Sequence, residues 1–276
     1  MHAIDPLLLA IVASTPLLLA VEGEVIVQRS GIINLGIEGM MLAAAMASAM
    51  TAQLTGSIGA AFIAGIFGAM VMAGIFGVFS IVLRADQIVT GTAINFLALG
   101  TTGFIYREMQ EAFARPIPQF NYGIVVAIAW IVVPILLATI LWRTMFGLRL
   151  RACGENPEAV GRAVPRYRWT ALAIEAILVG VAGAHLALAL SNGFAENMTA
   201  GRGFIALSIV IFGRWKMKGA LLGTAVFGVA AALQYALQAS GIGLPFHLLL
   251  AVPYIVTLLI LCGITGRVQA PEALGR

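Results

Sequence analysis

Residues 58–83 read IGAAFIAGIFGAMVMAGIFGVFSIVL, and no side chain among them carries a charge. At a helical rise of about 1.5 Å per residue, this stretch is longer than the roughly 30 Å hydrocarbon core of a bilayer. A helix suits such a segment, because in lipid the backbone polar groups must be satisfied within the segment itself. The stretch therefore predicts that the chain crosses a membrane.

Similar apolar blocks lie on both sides of this stretch. We predict long spans at residues 5–21, 31–54, 58–83, 87–106, 123–142, 169–190, 219–240 and 244–262. A ninth block at residues 203–213 covers only about half of the hydrocarbon core, and we predict a short broken or re-entrant element there. The expected fold is an all-α, polytopic transmembrane helical bundle with eight long spans. Short connections predict one membrane domain over residues 1–276.

The composition and the charge distribution fit a membrane protein. Hydrophobic residues make up 61% of the chain and charged residues only 10%, against roughly 25% charged in soluble domains. The net charge is +4, but the basic residues lie at the ends of apolar blocks, so we expect membrane lipid and no nucleic acid as a partner. If the loop 143–168 is cytoplasmic and the short element carries the chain across, most basic residues lie inside. The positive-inside rule then places the N-terminus outside and the C-terminus in the cytoplasm of a bacterial inner-membrane protein.

The loop at residues 143–168, RTMFGLRLRACGENPEAVGRAVPRYR, contains signals for a short helix. Asn156 is a candidate N-cap, Pro157 suits the first helical position, and Glu158 suits the first turn. Pro165 is expected to end this helix after about two turns. A short helix outside the membrane has little to pack against in its own chain, so we predict that it docks on a partner. A solvated loop whose arginines only set the topology is the alternative.

The second predicted span opens with SGIINLGIEGMMLAAA at residues 30–45, where glycines surround Asn34 and Glu38. An ionisable group in a membrane span usually faces a cavity, a helix partner or a water-filled path. The glycines favour an unwound stretch, which is tolerated only where protein or water satisfies the backbone. Glu38 could instead lie in a first helical turn at the cytoplasmic interface. Residues 200–223 show a similar glycine-bounded pattern in the second half, which is typical of an internal repeat beside a translocation path.

The fourth span, QIVTGTAINFLALG at residues 87–100, carries four further polar candidates for the path, Gln87, Thr90, Thr92 and Asn95. Hydrogen bonds between helices are the alternative explanation for these side chains. Among the carboxylates, we consider only Glu38 and Glu175 plausible within the membrane.

Motifs that would indicate an enzyme are absent from the sequence. It contains no GxxxxGK[ST], HExxH or GxSxG motif, so we expect no catalytic residue in this chain. Cys153 and Cys262 are its two cysteines, and we predict neither a disulfide nor a metal site. Any energy for transport must come from an ion gradient or from a partner.

Three motifs in this order resemble the permease subunits of ABC importers for ribose-like sugars, branched-chain amino acids and nucleosides. They are SGIINLGIEGMML at 30–42, LRLRACGENPEAVGRA at 148–163 and GFIALSIVIFGRWKMKGALLG at 203–223. The first motif is most similar to the smaller of two paired permeases in nucleoside and simple-sugar uptake systems.

The resemblance implies a set of partners and roles. It implies that the helix which seats in a cleft of an ABC ATPase includes Gly154, Glu155, Asn156, Pro157 and Glu158. It also implies a second, paralogous permease that forms a heterodimer with this chain, and an extracytoplasmic substrate-binding protein or lipoprotein. ATP and Mg²⁺ would bind to the partner ATPase, with no cofactor in this chain. Nucleosides are the expected substrate; simple sugars or branched-chain amino acids are the alternative, and an ion-driven secondary transporter is a further one.

Overall fold

A computed structural model describes residues 6–113, 115–239, 255 and 269–275, and its regular elements in these ranges are all helical. The α-helices are α1 (Pro6–Arg29), α2 (Ile37–Thr55), α3 (Ile58–Gly77), α4 (Gln87–Glu108), α5 (Gln110–Phe113), α6 (Gly123–Ala127), α7 (Val133–Arg143), α8 (Met145–Glu155), α9 (Pro157–Val160), α10 (Val164–His185), α11 (Arg202–Phe212) and α12 (Met217–Ala239). Short π-helical turns extend α3 to Val82 and α10 to Leu190 and join α6 to α7. Within the described ranges, six helices are long and apolar enough to cross a membrane.

The centre of the bundle is formed by α1, α2 and α10, which are buried along most of their length, whereas α3, α4 and α6–α7 expose most of theirs. Small residues allow the central helices to approach closely. A Cβ atom at Gly183 of α10 would lie only 2.5 Å from the carbonyl oxygen of Met41 in α2. Such contacts are common in membranes, where small residues let helix backbones pack together. The outer helices are thereby left to face lipid or other subunits.

The first helix is longer than the sequence analysis predicts. The predicted span ends at residue 21, whereas α1 continues to Arg29 and carries Glu22, Glu24 and Gln28, all buried. The prediction ended the span at the first carboxylate because a charge facing lipid is costly. These side chains instead face the protein interior, so the expectation of only two carboxylates within the membrane was wrong.

The second helix begins later than predicted. The predicted span starts at residue 31, but α2 starts at Ile37. Residues 30–36, here called the crossover, form two turns on either side of an irregular stretch at 32–34. Gly31 adopts a φ of +91° at the start of the crossover, a conformation that glycine accepts at little cost. The expected unwound stretch around the glycines is thus present, and Glu38 lies just after it in the first turn of α2.

The loop at 143–168 contains more helix than predicted, in different places. Residues Met145–Glu155 form α8, which the sequence analysis did not foresee, and the expected two-turn helix is the single turn α9 followed by a 3₁₀ turn. Asn156 and Pro157 hold the expected N-terminal positions of α9, although the Asn156 side chain makes no capping bond. Pro165 does not end this helix: it lies in the first turn of α10, where a missing N–H has no cost.

The short element at 203–213 is present as α11 (Arg202–Phe212) and brings the chain to the same side as the end of α1. There Trp215 accepts a hydrogen bond from Arg29 through its carbonyl oxygen and donates one to Gln28 through its indole. The predicted span at 219–240 corresponds to α12. The predicted span at 244–262 lies outside the described residues except for position 255, so the total of eight long spans stays a prediction.

Candidate functional site

The crossover is held by side chains from α4. The Gln87 Oε1 atom accepts a hydrogen bond from the backbone N–H of Ile33 at 2.7 Å. The Asn95 amide donates to the carbonyl of Leu35 at 2.9 Å and accepts from the N–H of Gly39 at 2.8 Å. In hydrocarbon, backbone groups that lack helical partners must find others. These two side chains therefore provide hydrogen bonds that a continuous helix would have made itself.

The inner side of the crossover rests on a buried polar cluster. The Asn34 side chain donates to Glu175 Oε2 at 2.6 Å and accepts from the N–H of Gly36 at 3.0 Å. Glu24 Oε1 accepts from Gln28 Nε2 at 2.7 Å and from the backbone N–H of Asn34 at 3.3 Å. The cluster links α1, the crossover and α10. Glu24 and Gln28 were not among the predicted residues, although their four-residue spacing, which places them on one helix face, is a signal that could have found them.

Glu38 joins α2 to the start of α11. Its two carboxylate oxygens accept hydrogen bonds from the backbone N–H groups of Gly201 at 2.7 Å and Gly203 at 2.6 Å. The first N–H groups of a helix lack partners within the helix and carry partial positive charge. The carboxylate therefore caps α11 from a neighbouring element, and it stays 7% exposed.

A groove of about 340 Å³ opens beside this cap. It is lined by Glu38, Gly39, Leu42, Thr92, Asn95, Phe96, Leu99, Asn197, Gly201 and Phe204. A second depression of about 650 Å³ shares Phe96, Leu99 and Asn197 with it and extends towards Arg107 and Glu196. There the Arg107 guanidinium donates to Glu196 at 2.9 and 3.0 Å, and this bond lowers the pKa of the Glu196 carboxyl below its usual value.

The structure separates the six predicted path residues into two groups. Glu38, Thr92 and Asn95 line the groove. Asn34 and Gln87 are buried and hold the crossover instead. Thr90 is also buried, and its hydroxyl donates to the carbonyl of Asp86 within the first turn of α4. The alternative of hydrogen bonding between elements therefore describes Gln87, and it also describes Asn95, which bonds to Leu35 and Gly39 while it lines the groove.

The predicted docking loop is anchored to the end of α1 and to the crossover. Arg29 forms an ion pair of 3.5 Å with Glu155 and donates through Nε to the carbonyl of Trp215. Gly154 packs against the Arg29 carbonyl so closely that a side chain would collide with it. The Gly154 carbonyl accepts from the N–H of Ala273 at 2.8 Å, and the Gly31 carbonyl accepts from Gly275 at 3.0 Å. These contacts fix the loop against the bundle, while Glu155, Asn156 and Glu158 remain exposed.

Comparison with known proteins gives a consistent result over nearly the whole chain. Residues 6–261 match the model of the family described as branched-chain amino acid transport system / permease component. The nucleoside ABC transporter permease protein NupC of Lactococcus lactis subsp. cremoris is 35% identical over 96% of this chain and 93% of its own length. The guanosine ABC transporter permease protein NupQ of Bacillus subtilis is 34% identical with the same coverage. A putative glucose ABC transporter permease protein of Haloferax volcanii, TsgC13, is 33% identical over 84% of this chain and 77% of its own length.

Proposed function

From the premise that this chain belongs to the family of branched-chain amino acid transport permease components, and is a multi-pass permease subunit of an ABC importer, we propose that it forms the translocation path for a nucleoside. The assignment of a nucleoside as the substrate is supported by the similarity to two permeases named for nucleoside and guanosine transport, at 34–35% identity over 96% of the chain. A sugar is the second candidate, supported by the putative glucose permease.

The arrangement that we propose keeps residues 1–276 as one permease domain in the bacterial inner membrane, with eight long spans, the N-terminus outside and the C-terminus in the cytoplasm. Contacts among the cytoplasmic segments support this orientation. The loop at 143–168, the end of α1, Trp215 and residues 273–275 meet on one side of the bundle. Arg29, Arg149, Arg151, Arg168 and Arg214 also belong to these segments, as the positive-inside rule requires of a cytoplasmic face.

The partners that we propose are an ABC ATPase, a second, paralogous permease and an extracytoplasmic substrate-binding protein. The turn of α9, which contains the exposed Glu158 and follows the exposed Glu155, is the candidate docking site for the ATPase. ATP and Mg²⁺ would bind to that ATPase, and this chain would make and break no covalent bond. The second permease would cover the groove at Glu38, Thr92 and Asn95, where polar groups facing lipid would be costly.

A mechanical route from the loop to the groove supports this function. A movement of α9 would be transmitted to Arg29, because Gly154 packs on the Arg29 carbonyl and Glu155 pairs with its side chain. It would then displace the crossover, which begins at the next residue, Ser30. The crossover is hydrogen-bonded to α4 through Gln87 and Asn95. Since Asn95 also lines the groove, a displacement at the ATPase would change the shape of the path.

Uptake in proteoliposomes tests the proposal directly. The chain is purified together with the products of its neighbouring operon genes, reconstituted, and supplied with the binding protein outside and ATP on the ATPase side. We expect uptake of radiolabelled guanosine or uridine that requires ATP and resists an uncoupler. Uptake of glucose or leucine in place of both nucleosides would overturn the substrate, and uptake that an uncoupler abolishes without any ATPase would favour an ion-driven carrier.

A further inference from the structure

Two exposed phenylalanine rings stand in the wall of the groove beside Glu38. Phe96 of α4 is 69% exposed and Phe204 of α11 is 47% exposed. Both line the same 340 Å³ space, together with the amide side chains of Asn95 and Asn197. Apolar rings and amide groups therefore share one cavity on the open face of the described bundle.

The surroundings of these rings differ from those of a lipid-facing surface. The exposed large residues of α3, among them Ile63, Phe67 and Val71, belong to a helix that is apolar throughout. Phe96 and Phe204 instead lie with Glu38, Thr92 and two asparagines. Polar and ionisable groups at membrane depth normally face the protein interior or a water-filled path. The groove is therefore better suited to a polar, ring-shaped solute than to lipid chains.

Asn95 has hydrogen-bonding capacity left over for a ligand. Its carbonyl oxygen accepts one bond, from Gly39, and its amino group donates one, to Leu35. A carboxamide has two N–H donors and two acceptor positions on its oxygen, so one donor and one acceptor position remain. Asn197 is exposed and lines both the groove and the adjoining depression. A planar heterocycle with donors and acceptors on its edge would match these two amides.

We propose that this groove is a transient binding site for the base of the transported nucleoside, with the ring stacked on Phe96 or Phe204 and its edge bonded to Asn95 and Asn197. The inference rests on nucleoside transport as proposed above. Aromatic side chains can stack on any base because every base has a π-face, so stacking would hold a nucleoside whichever base it carries. A volume of about 340 Å³ lies at the lower end of the range of small-molecule sites, roughly 300–1,000 Å³.

Glu38 acts here as a positioning residue. Its carboxylate is bonded to the N–H of Gly203, the residue before Phe204, and so fixes where that ring enters the groove. Because both carboxylate oxygens already accept backbone hydrogen bonds, the negative charge is offset at the start of α11.

The test compares aromatic and aliphatic side chains at matched exposed positions in the complete reconstituted importer. Phe96→Leu and Phe204→Leu keep an apolar group but remove the ring, whereas Phe96→Tyr keeps it. Phe67→Leu on α3, where the ring is 68% exposed outside the groove, is the control. We expect at least one of the two leucine variants in the groove, the one that removes the stacking ring, to lower the maximal rate of ATP-driven nucleoside uptake about fivefold or more. Phe67→Leu should remain within about twofold of the wild type, and Phe96→Tyr, which keeps the ring, should lose less of the rate than Phe96→Leu.

The outcomes separate this inference from the proposed function. If the wild-type importer takes up nucleosides and the two groove variants transport as well as Phe67→Leu, the base site is refuted while the transport function stands. If the wild-type importer takes up no nucleoside, the proposed substrate itself fails. Co-purification of the ATPase with each variant, together with an unchanged melting temperature, shows that a lost rate does not come from misassembly.

Discussion

The carboxylate of Glu38 accepts a hydrogen bond from the backbone N–H of Gly203 at 2.6 Å, across 165 residues of sequence. The bond joins the first turn of α2 to the first turn of α11, so the two interrupted segments of the chain meet at one point. Close approach is possible because Gly203 has no side chain: a Cβ atom there would lie 2.6 Å from the Glu38 nitrogen. The carboxylate and the glycine therefore depend on each other.

Removing this cap should destabilise the bundle. In Glu38→Ala the N–H groups of half-buried Gly201 and buried Gly203 lose their acceptor, and a buried donor left without a partner costs about 1–3 kcal/mol. We expect the melting temperature of the purified permease to fall, with a smaller fall in Glu38→Gln, whose amide oxygen can still accept one bond. Glu111→Ala, at an exposed position on α5, should leave the melting temperature unchanged. An unchanged value in Glu38→Ala as well would show that the cap contributes nothing.

Asn95 should be needed for the shape of the crossover. Asn95→Leu removes the bonds to Leu35 and Gly39 while it keeps a similar volume. Each buried backbone group left without a partner costs about 1–3 kcal/mol, so we expect a lower melting temperature and slower uptake. Thr101→Val on the same helix removes a hydroxyl bonded only within α4 and serves as the control. Equal stability of the two variants would contradict a bracing role for Asn95.

Hydropathy was enough to predict an all-helical membrane fold, because long uncharged blocks such as residues 58–83 have few other uses. The family resemblance, which rested on three motifs, is confirmed by the match over residues 6–261. The end of α1 was predicted too early because hydropathy counts a carboxylate as the end of a membrane span. Hydropathy cannot distinguish a carboxylate that faces lipid from one that is buried within the protein, as Glu22 and Glu24 are.

The site could be predicted only as a collection of residues. The glycines at 31, 36 and 39 indicated an unwound stretch, but its partners come from 54 to 141 residues away, in Gln87, Asn95 and Glu175. Sequence periodicity carries no information on such distant contacts. Pro165 shows that local signals can also be ambiguous. A proline is equally suited to follow one helix or to begin the next, and here it begins α10. The roles of the path and docking residues in transport stay predictions.

The close packing of Gly154 on Arg29 should be essential for transmitting movement from the loop at 143–168 to the membrane helices. In Gly154→Ala the new methyl group would collide with the carbonyl of Arg29, so α8 must shift or the end of α1 must move. We expect nucleoside-stimulated ATP hydrolysis by the assembled importer to be lost or strongly reduced. Gly59→Ala is the matched control, because a Cβ atom there has nothing within 4 Å. Full stimulation in Gly154→Ala would mean that this contact does not transmit movement.

The exposed acidic residues of the loop should decide whether the ATPase stays bound. Glu155 is the last residue of α8 and Glu158 lies within the α9 turn. Both are exposed, and Glu155 also pairs with Arg29 at 3.5 Å. Reversing both charges in Glu155→Arg/Glu158→Arg would repel Arg29 and any basic partner surface, so the ATPase should no longer co-purify with the permease. The single Glu155→Gln variant separates loss of the ion pair with Arg29 from reversal of the surface charge. It removes the pair, which as a partly exposed contact contributes about 0–1 kcal/mol, but it keeps Glu158 and introduces no positive charge. If Glu155→Gln retains the ATPase and the double variant releases it, the acidic surface itself is the docking site for the ATPase. Retention of the ATPase by the double variant would place the docking surface elsewhere on the permease.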